Sequence, residues 1–131
     1  MMSRRLLSPL IACMFLTFGG CLSAGSGFAP SSPGAASLDG GIIGRSAYAP
    51  QLSSGAKARA VEAEYQALQF APAGEAISWS AGDASGRVVP TQVYRVGSQD
   101  CRGYTQFLDG GGAAGLTATA CRAGDGTWIL V

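Results

Sequence analysis

Four cysteines, at positions 13, 21, 101 and 121, and the absence of any histidine bound what this 131-residue chain can do chemically. A thiol can act as a nucleophile, ligate a metal, close a disulfide or carry an attached group, and its surroundings decide which. Without histidine the chain lacks the commonest general base and the commonest metal ligand, so a nucleophile would have to rely on Lys57 or a carboxylate. Dithiol redox chemistry generally uses closely spaced cysteines of lowered pKa, and Cys101 and Cys121 are far apart in sequence. Two cysteines also make a poor zinc site, which wants four ligands. The expectation is a protein that is not an enzyme, with no catalytic residues, no metal and no cofactor.

Cys21 ends the stretch MMSRRLLSPLIACMFLTFGGC, in which Arg4 and Arg5 precede an apolar run from Leu6 to Phe18 broken only by Ser8, Pro9 and Thr17. A basic end followed by an apolar segment is the layout of a secretory signal. The run falls short of the roughly 20 apolar residues of a membrane span. Its close, FGGC at 18–21, is similar to the lipobox of bacterial lipoprotein signals, with Phe18 where leucine is usual. Gly19 and Gly20 would let the extended chain lie in the peptidase cleft, and the thiol of Cys21 would take a diacylglycerol. The rival LIAC, ending at Cys13, matches that pattern better but leaves only Leu6 to Ala12 as the apolar segment. Residues 1–20 are therefore expected to be a signal peptide and Cys21 the lipidated residue.

Removing Arg4 and Arg5 with the leader leaves seven basic and eight acidic residues, a formal charge of −1. Such a chain has no basic patch for a phosphate backbone, which excludes nucleic acid as the expected partner. Residues 21–52 are rich in Gly, Ser, Ala and Pro, a composition that buries too little surface to offset ordering entropy, and they read as a disordered tether. GGIIG at 40–44 has the small-xxx-small spacing of Gly40 and Gly44 but no long apolar helix around it, and reads as a turn within that tether.

The elements that would position any site lie in 53–131. SSGAKARAVEAEYQALQFAPAG, from Ser53, is dense in good helix formers, with Ser53 or Ser54 as cap and Pro72 and Gly74 at its end. Val61, Tyr65 and Leu68 line one face, giving an amphipathic helix of about four turns. AISWSA, RVVPTQVYRV, CRGYTQFLD, GLTATACRA and TWILV then read as five short strands between glycine-rich turns. The expected class is α+β, one helix packed on a small antiparallel meander. Pro90 requires an edge or a bulge in its strand. Trp79 and Trp128 alternate with Ile77 and Leu130 and are expected beneath the helix.

Once Cys13 leaves with the leader and Cys21 takes lipid, Cys101 and Cys121 remain, and in an oxidising compartment they are expected to form a disulfide. A reversal centred near Gly111 places them directly opposite, close enough to bond. Arg102 and Arg122 are the candidate interaction residues, read as lying across from each other and able to grip a carboxylate or phosphate. Their plainer reading is solvated arginines, or partners of Asp100 and Glu75.

LDGGIIGRS, EYQALQFAPAGEAISW, SGRVVPTQVY, CRGY and ACRAGDGTWILV, in this order over about residues 38–131, resemble the glycine-zipper outer-membrane lipoproteins typified by the rickettsial 17-kilodalton surface antigen. The repeated Cys-Arg at 101/102 and 121/122 and the closing DGTW at 125–128 are the most specific elements, and the zipper is cut down to Gly40, Gly41 and Gly44. The resemblance implies a lipid-anchored small β domain of the bacterial envelope and no chemistry. Leu22 follows Cys21, where lipoproteins retained in the inner membrane of enteric bacteria commonly have aspartate, which favours by analogy the outer membrane, with the domain facing the periplasm or the surface. The expected role is structural or interactive, with an envelope protein or glycan as partner and the membrane reached through the lipid. The alternative is a periplasmic ligand- or protein-binding or inhibitor module using Trp79, Tyr94, Tyr104, Phe107 and Trp128.

Overall fold

The computed structural model describes residues 32–112 and 114–131, so the leader and Cys21 lie outside the described residues. Two single-turn helices, α1 (Pro33–Ala36) and α2 (Gly41–Gly44), and a 3-10 turn (Ala49–Gln51) lead into the main helix, α3 (Ser54–Gln69). Five strands follow: β1 (Ile77–Ala81), β2 (Ala84–Val96), β3 (Gln99–Leu108), β4 (Leu116–Arg122) and β5 (Trp128–Leu130). They form one antiparallel sheet in chain order, the expected meander.

The start of α3 follows from its cap: the Ser53 hydroxyl accepts from the Ala56 N–H at 3.1 Å, satisfying one of the unpaired donors of the first turn. Ala56, Ala60, Ala63 and Ala67 are buried along it, with Val61 and Leu68. Alanines on the sheet-facing side bring the helix close, and α3 packs mainly over β1 and β2. Tyr65 is only partly buried and sets its ring edge-on to Phe70, so the predicted face is wider than Val61, Tyr65 and Leu68 and centred on the alanines.

Two features of β2 answer the constraint that Pro90 imposes. The register shifts between Pro90 and Val93, a bulge, and β1 begins opposite Val88, so Pro90 lies past the end of its neighbour. There its carbonyl accepts from the Gly74 N–H at 2.8 Å. Cys101 and Cys121 are cross-strand partners and are bonded to each other, as the reversal near Gly111 requires. The disulfide lies on the sheet face away from α3 and contributes roughly 3 kcal/mol through closure of a loop of about 20 residues.

The tether expected over 21–52 is corrected for residues 32–52, which are packed. Leu38 and Ile43 are fully buried beside Ala35, and together they fill the part of the sheet that one helix leaves uncovered. The Ser37 hydroxyl lies between the Gly34 and Trp128 carbonyls at 2.7 and 2.9 Å and shares its one proton between them, and the Tyr48 hydroxyl donates to the Gly111 carbonyl at 2.6 Å. Glycine here serves close packing: a Cβ on Gly34 would overlap the Tyr65 ring, and one on Gly41, at φ 63°, would overlap the Glu64 carboxylate. GGIIG is accordingly a docked helical turn and not a bend in a linker.

Candidate functional site

Three polar constructions join α3 to the sheet, and the deepest centres on Glu64. This carboxylate is fully buried between Ala60 and Leu68 on the inner face of α3. It accepts from the Ile42 and Ile43 N–H groups at 3.0 and 3.2 Å, the Tyr104 hydroxyl at 2.9 Å and the Gln106 amide at 3.1 Å. Gln106 in turn accepts from the Trp79 indole at 2.8 Å, so the chain of bonds runs from α2 through α3 and β3 to β1. Burial raises the Glu64 pKa above its ordinary carboxyl value, and the four hydrogen bonds oppose that rise. Burial together with the Glu64 charge pushes the Tyr104 phenol far up, so it stays a donor.

The second construction corrects the reading of Arg102 as a surface contact. Arg102 is only 5% exposed. Its guanidinium donates to the Ala67, Leu68, Ala71 and Thr91 carbonyls, so it completes the last turn of α3 where the helix itself provides no further N–H groups. Nor does it face Arg122: its cross-strand partner is Ala120, whereas Arg122 pairs with Trp128. The arithmetic of a reversal that opposes 101 to 121 puts 102 opposite 120. Asp100 pairs with Arg95 at 3.2 Å and not with either candidate arginine. Arg102→Met, which keeps most of the stem and removes every donor, is expected to lower unfolding free energy by about 2 kcal/mol in a urea melt. An unchanged melt would return Arg102 to the surface role.

In the third, Arg122 is half-buried with its guanidinium 4.9 Å from the centre of the Trp128 ring. Both Arg122 and the Trp128 indole donate to the Gln69 side-chain amide oxygen, each at 2.9 Å. Trp79, Tyr104 and Trp128 are buried, so these aromatics belong to the core and form no binding platform. Phe107 lies on the opposite face under the Arg87 guanidinium, 4.3 Å from its ring centre, and Tyr94 is exposed.

Glu64, Gln69 and Gln106 went unnoticed in the sequence. The signal for Glu64 was available: it sits four residues after Ala60 and four before Leu68, a charge inside the apolar stripe. Gln106 likewise alternates with Tyr104 and Leu108 on the inward side of β3.

Two surface concavities stand out among the described residues. One, of about 510 Å³, runs between α3 and β1, with Arg59, Glu62 and Gln66 on the helix side and Ser78, Ser80 and Trp79 on the strand side. The other, of about 390 Å³, lies between α3 and the first two helices and is lined by small residues with Lys57 at its rim. Among the described residues no cluster of three or more His, Cys, Asp or Glu could hold a metal, and no helix is long and apolar enough to cross a membrane. The fold is thus a small α+β domain whose buried polar groups serve to hold its layers together. Comparison with family models, curated proteins and solved structures returns no match.

Proposed function

We propose that this chain is a lipid-anchored lipoprotein of the bacterial outer membrane with a non-catalytic structural or interaction role. The observation that carries the reading is the order basic residues, apolar segment, FGGC directly upstream of a small disulfide-closed domain. A disulfide between cysteines 20 positions apart suits an oxidising compartment such as the periplasm. Only ten residues separate Cys21 from Ser32, where the described fold begins. Fully extended they reach roughly 35 Å, so an acyl group on Cys21 would keep the domain close to its membrane. The resemblance to the glycine-zipper surface antigens points the same way, with an envelope protein or glycan as partner.

Metabolic labelling with a clickable fatty acid tests the anchor. The parent and Cys13→Ala are expected to take up label and Cys21→Ala to lose it. Label retained by Cys21→Ala and lost from Cys13→Ala would move the lipid to Cys13, and no label on the parent would remove the anchor altogether. The alternative, a ligand- or protein-binding module, draws its support from the groove beside β1 rather than from the aromatic residues.

A further inference from the structure

The two edges of the sheet are treated differently. At the β5 edge the Ser37 hydroxyl occupies the Trp128 carbonyl, and the strand is only three residues long. Short length and a covering segment are two ordinary ways of blocking an edge against added strands. At the β1 edge, among the described residues, neither operates. The Asp109 N–H donates to the Ser85 carbonyl, so alternate residues of β2 from Ser85 onward bond to β3, leaving Gly86 and Val88 to bond to their β1 partners Trp79 and Ile77. Ser78 and Ser80 therefore direct their N–H and C=O groups outward. Among the described residues no backbone or side-chain hydrogen bond reaches those groups. The strand also carries no proline, charge or bulge that would discourage pairing.

The free edge is one wall of the 510 Å³ groove, and the Arg59, Glu62, Ala63 and Gln66 side of α3 is the other. Its apolar surface comes mainly from half-buried Ile77, with Trp79 and Ala63, 7% and 3% exposed, forming the floor. The charges on its walls are unequally engaged. Glu62 already accepts from Ser32 and Gln66, Asp109 accepts from Ser85, and the Arg87 guanidinium lies over Phe107 on the far face of the sheet. Arg59 is exposed and, among the described residues, has no carboxylate within 4.0 Å.

We propose that the groove between α3 and β1 is a strand-addition site that takes an extended peptide segment of a partner protein bearing an acidic side chain opposite Arg59. The peptide backbone pairs with Ser78 and Ser80, its inward side chains rest on Ile77 at the mouth of the groove, and its carboxylate meets the guanidinium. Main-chain bonds give such a site its affinity and the side-chain contacts its selectivity. This deepens the interaction role proposed above and rests on that reading, but it does not depend on the lipid.

The test uses the full chain, purified in mild detergent, against a displayed library of random decapeptides. Enriched sequences are expected to alternate apolar and polar residues and to carry Asp or Glu at one fixed position, and amide NMR shifts on binding should centre on Ser78, Ser80 and residues 59–66. Ser78→Pro removes an outward N–H at a position where an edge strand tolerates proline, and should weaken binding about tenfold or more. Arg59→Glu, on the exposed side of α3, should switch the selected peptides from acidic to basic. Peptides that bind Ser78→Pro as tightly as the parent, or a library with no enrichment, overturn the proposal. A dimer in sedimentation that Ser78→Pro dissociates would assign the edge to a second copy and overturn it equally. Peptide binding without fatty-acid labelling would count against the anchor alone, and labelling without peptide binding against the groove alone.

Discussion

Glu64→Ala is expected to leave the domain largely unfolded at neutral pH. The substitution removes the acceptor of four donors at once, namely the Ile42 and Ile43 N–H groups, the Tyr104 hydroxyl and the Gln106 amide. Each buried donor left without a partner costs about 1–3 kcal/mol, and a small domain has only about 5–15 kcal/mol in total. The loss also spreads, because α2 is held to α3 through this carboxylate and brings the fully buried Ile43 with it. Glu64→Gln is the finer probe. An amide offers one oxygen where the carboxylate offers two, so part of the donor set loses its acceptor, at a cost of about 1–3 kcal/mol. Urea melts monitored by circular dichroism measure both, and a Glu64→Ala protein as stable as the parent would show that the polar cluster contributes nothing to the fold.

The same residue sets a pH dependence whose sign follows from its burial. The Glu64 pKa is raised in the folded state, so between its unfolded and folded values the native protein binds more protons than the unfolded chain. The proton-linked part of its contribution is therefore full below the ordinary carboxyl value of 4.5 and is lost as pH rises through the raised folded value, while the four hydrogen bonds to the carboxylate persist above it. Glu62 runs the other way. Desolvation is its largest influence and raises its pKa, but the bonds from Gln66 and Ser32 together outweigh it and leave the pKa lowered, so Glu62 contributes above 4.5 and loses that contribution in acid. The Glu64→Gln protein should lack the decline on the upper side of 4.5 and keep the acid-side loss.

What was legible in the sequence was whatever depends on period and spacing. A serine cap at Ser53 or Ser54, the meander order, the edge or bulge that Pro90 requires and the opposition of Cys101 to Cys121 each follow from local rules. The packing of residues 32–52 was not legible, because glycine and alanine signal flexibility by composition and close contact by geometry. Gly34 lies against Tyr65, and Gly41 against Glu64, partners 31 and 23 positions away that no local pattern can reveal. Arg102 was misread for a related reason. Its identity suggests a surface ligand, but its four acceptors come from the end of α3 and from Thr91, and only the folded chain brings those carbonyls to one place. The groove was invisible for the converse reason, since it is defined by an edge that no described residue covers.

Trp128→Ala is expected to be as damaging as the loss of Glu64, and by a different route. The ring is 2% exposed on the three-residue edge strand β5, which has little else to hold it to the domain. Its indole N–H donates to Gln69 on α3, its face carries the Arg122 guanidinium, and its carbonyl accepts from Ser37. One residue thus touches the main helix, the neighbouring strand and the packed segment that precedes α3. Truncating a buried tryptophan to alanine costs about 3–5 kcal/mol, and here the Arg122 guanidinium also loses the ring it lies over. Trp79→Ala should come close, since that ring is 7% exposed and its N–H supports Gln106 beneath Glu64. The measurement has to be made on a chain that retains residues 32–52, because a fragment beginning at 51 would lack Leu38 and Ile43 and begin with an open core. Trp128→Phe separates the two contributions: it restores most of the apolar volume but not the bond to Gln69, and should recover more than half of the lost stability. A thermal melt of Trp128→Ala within a few degrees of the parent would mean that β5 is dispensable and that the disulfide and α3 hold the sheet without it.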